Sequence, residues 1–197
     1  MDVEFRLAVY DEEDEENKLL LEDYLRLRQA GTVDWDPSLE NSGLSLVCQG
    51  REWLLDHWNT GQINLLILQV EEAVRRLKEG RETIVRIGAI DSAGGPYLLL
   101  TPTDREVEIS LFVIRDRRYY LDFPIEDVSG SAADLYAHLD QQRQELLEPV
   151  GGAAGEKYFK RLRCPGQELL AEMQRAAQSG RDLYELLGRP VDSEVYS

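Results

Sequence analysis

Few residues in this chain have the type and spacing for nucleophilic chemistry. Cys48, Asp56 and His57 form the one set of thiol, carboxylate and base close in sequence; a thiol nucleophile needs a base, and the base needs an orienting group. Adjacent Asp56 and His57 would point to different sides of a helix or strand. A buried thiol and a histidine beside Trp58 are therefore the favoured reading. Ser129-Gly130-Ser131 departs from the G-x-S-x-G elbow and precedes a helix, as a cap does. Gly94-Gly95-Pro96 joins two strands, and Gly151-Gly152-Ala153-Ala154-Gly155 has no Lys-Ser/Thr pair after it, so neither cradles a phosphate.

Metal chemistry has equally little to stand on. The two histidines, His57 and His138, have no paired cysteine or second histidine at ligand spacing. The run Asp11-Glu12-Glu13-Asp14-Glu15-Glu16 offers oxygen ligands but lacks the spaced D-x-D-x-D-G pattern that wraps one ion. Asp34-Trp35-Asp36-Pro37-Ser38 begins like such a loop and then carries Leu39 where the turn glycine belongs. The expectation is a chain with no catalytic residues, no metal and no cofactor, and hence not an enzyme.

Charge is the strongest signal. The chain has 197 residues with 38 Asp+Glu against 22 Lys+Arg, a formal charge of -16. Nucleic-acid affinity comes mostly from Lys and Arg, so neither nucleic acid nor an anionic membrane is an expected partner. Residues 1–60 hold 15 acids and 5 bases, net -10, while 61–130 and 131–197 carry -3 each. The same N-terminal third holds all three tryptophans, Trp35, Trp53 and Trp58. Carboxylates rimming an aromatic anchor suit a basic protein partner, and this points to Asp11, Glu12, Glu13, Asp14, Glu15, Glu16, Asp34, Trp35 and Asp36 as the contact residues. Lys157, Lys160, Arg161 and Arg163 are the one basic patch, expected to meet the protein's own acidic surface.

The elements that must position these residues follow from periodicity. Val3, Phe5, Leu7 and Val9 alternate with Glu4, Arg6, Ala8 and Tyr10, which predicts a half-buried strand. The acidic run then reads as the solvated first turn of a helix reaching Gln29 and ended by Gly31. Residues 31–43, with Pro37, Asn41, Ser42 and two glycines, read as a loop before a short strand at Leu44–Cys48. Ile63, Leu66, Ile67, Val70, Val74 and Leu77 fall on one helical stripe closed by Gly80. Four strand-like runs follow, 83–90, 97–101, 106–114 and 118–125, with connections too short for crossover helices, so an antiparallel meander is predicted. A helix opens at Ser131-Ala132-Ala133-Asp134, runs through Leu147 and ends before Pro149; two more are predicted, one starting at Pro165 and a short one over Arg181–Leu187.

The fold class expected is α+β: an antiparallel sheet of about five or six strands, two or three helices packed on it, and a helical C-terminal element. In domain terms, 1–149 is an α+β domain, 150–155 a Gly/Ala linker or turn, and 156–197 the helical element, packed on the same body. Met1-Asp2-Val3-Glu4 lacks the features of a signal peptide, and Cys48 and Cys164 suit a reducing cytoplasm, where two buried thiols are favoured over a bridge between them. With 18 Arg to 4 Lys, the composition is that of a GC-rich genome, and a bacterial source is expected.

In general form, a small, acidic, cysteine-poor bacterial α+β protein resembles the immunity proteins that neutralise polymorphic or contact-dependent toxins. The resemblance is one of architecture and charge and implies a module that blocks a basic partner sterically. The alternatives are an acidic secretion chaperone, or a small-ligand-binding or enzymatic domain using Tyr97, Tyr119, Tyr120 and Asp122 of the meander.

Overall fold

A computed structural model describes residues 3–14, 16–48, 51–55, 62–86, 97–114, 147–149 and 162–191. The chain opens with β1 (Val3–Asp11), β2 (Lys18–Leu20), α1 (Leu21–Gln29), β3 (Pro37–Cys48) and β4 (Arg51–Leu55). It continues with α2 (Ile63–Lys78), β5 (Thr83–Arg86), β6 (Tyr97–Pro102), β7 (Glu106–Ile114), β8 (Leu147–Pro149), β9 (Leu162–Pro165) and α3 (Gly166–Leu186). The fold is α+β with antiparallel strands, and its last helix lies near the C-terminus.

The strands form two sheets rather than one. A four-stranded sheet runs β2-β1-β3-β4, and a five-stranded sheet runs β5-β6-β7 with β8 and β9 both paired to β7. β9 pairs with Glu106–Ile109 and β8 with Phe112–Ile114, so two short strands share successive stretches of β7. Alternation along each strand shows one buried face but is silent on which strands become neighbours; that depends on α2, which separates the two sets in the chain. The meander is present over β5, β6 and β7, and the run at 118–125 lies outside the described residues. So does most of the helix expected from Ser131. Its last turn differs, because Leu147 and Pro149 pair in β8.

β1 forms where its alternation predicts, with Val3, Phe5, Leu7 and Val9 buried; the strand is half-buried only over its first half, because Ala8 and Tyr10 on the other face are buried as well. Its register sets Phe5 opposite Leu46, Leu7 opposite Leu44 and Val3 opposite Cys48, so β3 presents its apolar residues to the same side. The stretch 37–43 is strand and not loop. Its turn-forming residues are absorbed by a shift in register, with Ser42 opposite Val9 and Pro37 opposite Asp11.

α2 carries the predicted stripe, with Ile63, Leu66, Ile67, Val70, Val74 and Leu77 all buried. Gly80 ends it at φ +69, where its N–H reaches Leu77 O at 3.0 Å and the Arg81 N–H reaches Arg76 O at 2.9 Å. That closing pattern needs a left-handed residue, which glycine adopts without a Cβ clash. Gly31 and Gly188 close α1 and α3 in the same pattern. α3 is one helix of 21 residues where two were expected, and Pro165 is its N-cap, not its first residue. It packs on α2 and β1 and carries Leu169, Met173, Leu183 and Tyr184 into the core that both sheets share. Among the described residues no helix is long and apolar enough to cross a membrane.

Candidate functional site

The acidic run is the connection between β1 and β2, not the first turn of α1, because Lys18–Leu20 pairs back on β1 with Tyr10 opposite Lys18. Its conformation is held by its own short side chains. Asp11, buried at the end of β1, accepts from the Glu13 N–H at 2.9 Å and from Asn17 Nδ2 at 3.2 Å. Asp14 accepts from the Glu16 N–H at 3.1 Å and from Asn17 Nδ2 at 3.3 Å. The Asp11 N–H donates to Asn17 O and the Asn17 N–H to Asp14 O, at 3.0 and 2.9 Å. This is how Asp and Asn side chains stabilise turns, by substituting for backbone partners. The chain is thereby bent so that Glu12, Glu13, Asp14 and Glu16 stand exposed, while Asp11 serves the turn. Glu15 lies outside the described residues.

The second acidic segment lies against the first. The Glu12 N–H donates to Asp36 O at 3.0 Å, joining 34–36 to the turn, and Asp34 and Asp36 are exposed. Trp35 between them is half-buried, its ring tilted 45° on Tyr24 with centroids 4.7 Å apart. Its carbonyl accepts from Tyr24 Oη at 3.1 Å and from Arg28 Nη1 at 3.0 Å, while Arg28 Nη2 holds Asp36 Oδ1 at 2.8 Å. Burial raises the Tyr24 phenol above its ordinary value; the positive charge of Arg28 opposes that, and the carboxylates of Asp36 and Asp11 add to it. Trp35 is thus a pillar on which the acidic edge rests, with part of its surface still open. α1 is what sets this up, since Tyr24 and Arg28 are four apart on one helical face.

The other candidate residues are placed as follows. Cys48 is fully buried, and Asp56, His57, Trp58 and His138 lie outside the described residues. Trp53 and Tyr97 are placed by backbone only, opposite Leu46 in β4 and opposite Phe112 in β6. Tyr119, Tyr120 and Asp122 are outside, as are Lys157, Lys160 and Arg161, while Arg163 Nε meets Glu108 at 3.3 Å. Among the described residues no group of three or more His, Cys, Asp or Glu is arranged to hold a metal ion.

Elsewhere, described residues line two clefts. One of about 290 Å³ lies between β1, α1 and α3, lined by Glu4, Arg6, Glu22, Asp23, Arg175 and Ser179. Its cations are already matched: Arg6 pairs with Glu4, and Arg175 pairs with Glu22 at 2.8 Å and Glu172 at 2.5 Å. The other, about 530 Å³, lies where the start of α3 meets the β6–β7 turn, around Thr103, Arg105, Gln167 and Glu168. Neither holds a convergent set of groups for catalysis.

Two relationships carry no signal in the sequence: the Tyr24–Trp35–Arg28 brace, and the approach of Cys48 to the carbonyl of Arg163, next to Cys164, across the two sheets. Compared with protein-family models, with curated proteins and with solved structures, the chain matches none.

Proposed function

We propose that this chain is an acidic protein-interaction module of a bacterial cytoplasm that works as immunity proteins do, docking its acidic edge on a basic protein partner and blocking it sterically. The observation that carries the reading is the Glu12 N–H to Asp36 O bond, which sets two acidic segments side by side on a braced base. Glu12, Glu13, Asp14, Glu16, Asp34 and Asp36 then form one exposed anionic ridge. Such a ridge steers a cationic partner into encounter. A ridge held in shape by Asn17, Tyr24 and Arg28 loses less conformational entropy on docking than a free loop does.

The test is co-expression with the product of an adjacent gene that arrests growth. Rescue by the wild-type chain is expected, with loss of rescue by the variant Glu12→Lys/Glu13→Lys/Glu16→Lys/Asp34→Lys, whose thermal unfolding stays near wild type. Capture of the partner should weaken between about 50 mM and about 500 mM salt, as the screening length shortens. A partner held equally by the charge-reversed variant at low salt would overturn the choice of surface. An adjacent product whose toxicity the wild-type chain leaves untouched would overturn the immunity reading.

A further inference from the structure

Cys48 is the last residue of β3 in the first sheet, and Cys164 lies in β9 of the second. Both are fully buried, and they are the chain's only cysteines. The Cys48 thiol donates to the carbonyl of Arg163, the residue preceding Cys164, at 3.5 Å. Cys164 follows Arg163 directly, so its side chain sits next to Cys48; burial pushes the Cys164 thiol up, and the neighbouring Cys48 adds to the rise. Val3, opposite Cys48 in β1, and Val107, opposite Cys164 in β7, belong to the same apolar cluster as the two sulfurs. Two neighbouring thiols in an apolar setting, with no third cysteine to compete, are the two halves of a disulfide.

We propose that Cys48 and Cys164 are a dithiol modification site, which a small-molecule disulfide of the glutathione class converts to an internal disulfide joining the two sheets. In the exchange, the first thiolate attacks one sulfur of the oxidant and expels the other as a thiol, leaving a mixed disulfide. The second protein thiol then displaces the remaining reagent thiol. Two protein S–H bonds and one reagent S–S bond are lost; one protein S–S bond and two reagent S–H bonds form. The two electrons lost by the protein sulfurs reduce the reagent disulfide. Closing the bond brings the two sulfurs to about 2.0 Å.

The same burial sets the rate. A thiol must reach solvent and ionise before it can attack, and both thiols are enclosed. β9 is the entry point. Among the described residues it is four residues long and pairs only with β7, whereas Cys48 ends a strand flanked on both sides by β1 and β4. Oxidation therefore follows the opening of β9 and is slow in the native protein. Once formed, the bond is shielded from reductant by the same packing. It closes a loop of roughly 115 residues, which restricts the unfolded chain far more than the native one. The reading is independent of the partner proposed above.

The experiment uses the full wild-type chain, divided between dithiothreitol and an excess of oxidised glutathione, each with and without urea below the unfolding midpoint. Expected in the oxidised sample are the loss of two hydrogens in the intact mass, no thiol left for alkylation after denaturation, and bridging that is faster in urea. The bridged form should melt higher by on the order of 10 °C. Cys164→Ala and Cys48→Ala should each stop at a glutathione adduct, without the rise. Two thiols still alkylated after oxidation, a wild-type chain that ends as an adduct or intermolecular dimer, or a bridged form that melts no higher than the dithiol would each overturn the proposal.

Discussion

Gly180, in the middle of α3, lies against Ile67 of α2 so closely that a Cβ on the glycine would stand 2.5 Å from Ile67 Cδ1 and no farther from Cγ1. The glycine sits in a continuous helix and lets two helices approach, just before Arg181, where a second, shorter helix was expected to begin. Beside it Arg181 bonds Glu71 of α2, with Nη2 to Oε2 at 2.6 Å, so the contact has an apolar centre and a charged rim.

Gly180→Ala should therefore destabilise the protein, against the ordinary preference of helices for alanine. Overpacking of this kind costs about 1–3 kcal/mol, which exceeds the propensity gain of up to about 1 kcal/mol. Thermal or urea unfolding measures the loss. Ile67→Ala should also destabilise, and adding Gly180→Ala to it should cost less than in the wild type. Additive effects in that double-mutant cycle would show that the two residues do not share the contact.

Asn17→Ala removes the amide that ties Asp11 to Asp14 while leaving every carboxylate in place. A stability loss of about 0.5–1.5 kcal/mol is expected. If ridge geometry matters beyond charge, the captured partner should dissociate faster from this variant, with its salt dependence unchanged. Dissociation kinetics equal to wild type would assign the binding to charge alone.

Tyr24→Phe deletes the hydroxyl that donates to Trp35 O and keeps the ring against the indole. Denaturant unfolding should show a loss of about 1 kcal/mol. Raised by burial, the phenol should ionise above 10.0 in a spectrophotometric titration. Because the folded value lies above the unfolded one, its contribution is full below the unfolded value and lost as pH rises through the folded one.

Acid should act at Glu72, whose carboxyl is held below 4.5 chiefly by its hydrogen bond with Arg75, with Nε to Oε2 at 2.8 Å. The folded value is depressed, so this contribution is present above 4.5 and lost as pH falls through the folded value. The pair lies at the surface, where water and salt screen it, so its contribution is small. Glu72→Gln should flatten that part of the stability profile between mildly acidic and acidic pH. An unchanged acid limb would place the sensitivity on other carboxylates.

Local features of this protein are written in the sequence. The alternation of Val3, Phe5, Leu7 and Val9, the stripe from Ile63 to Leu77, and the helix-ending glycines Gly31, Gly80 and Gly188 each depend on neighbours within a few positions. The same holds for the concentration of carboxylates in the N-terminal third. Tertiary structure alone decided the rest: Gly180 as a packing residue, 37–43 as a strand, Asp11 as part of a turn, Trp35 as a support, and Cys48 beside Cys164. The physical reason is common to them all. A glycine, an aspartate, a tryptophan or a thiol has several low-energy roles, and the choice is made by the partner that packing brings to it from elsewhere in the chain: α2 for Gly180, β1 for residues 37–43, Tyr24 for Trp35, and β9 for Cys48.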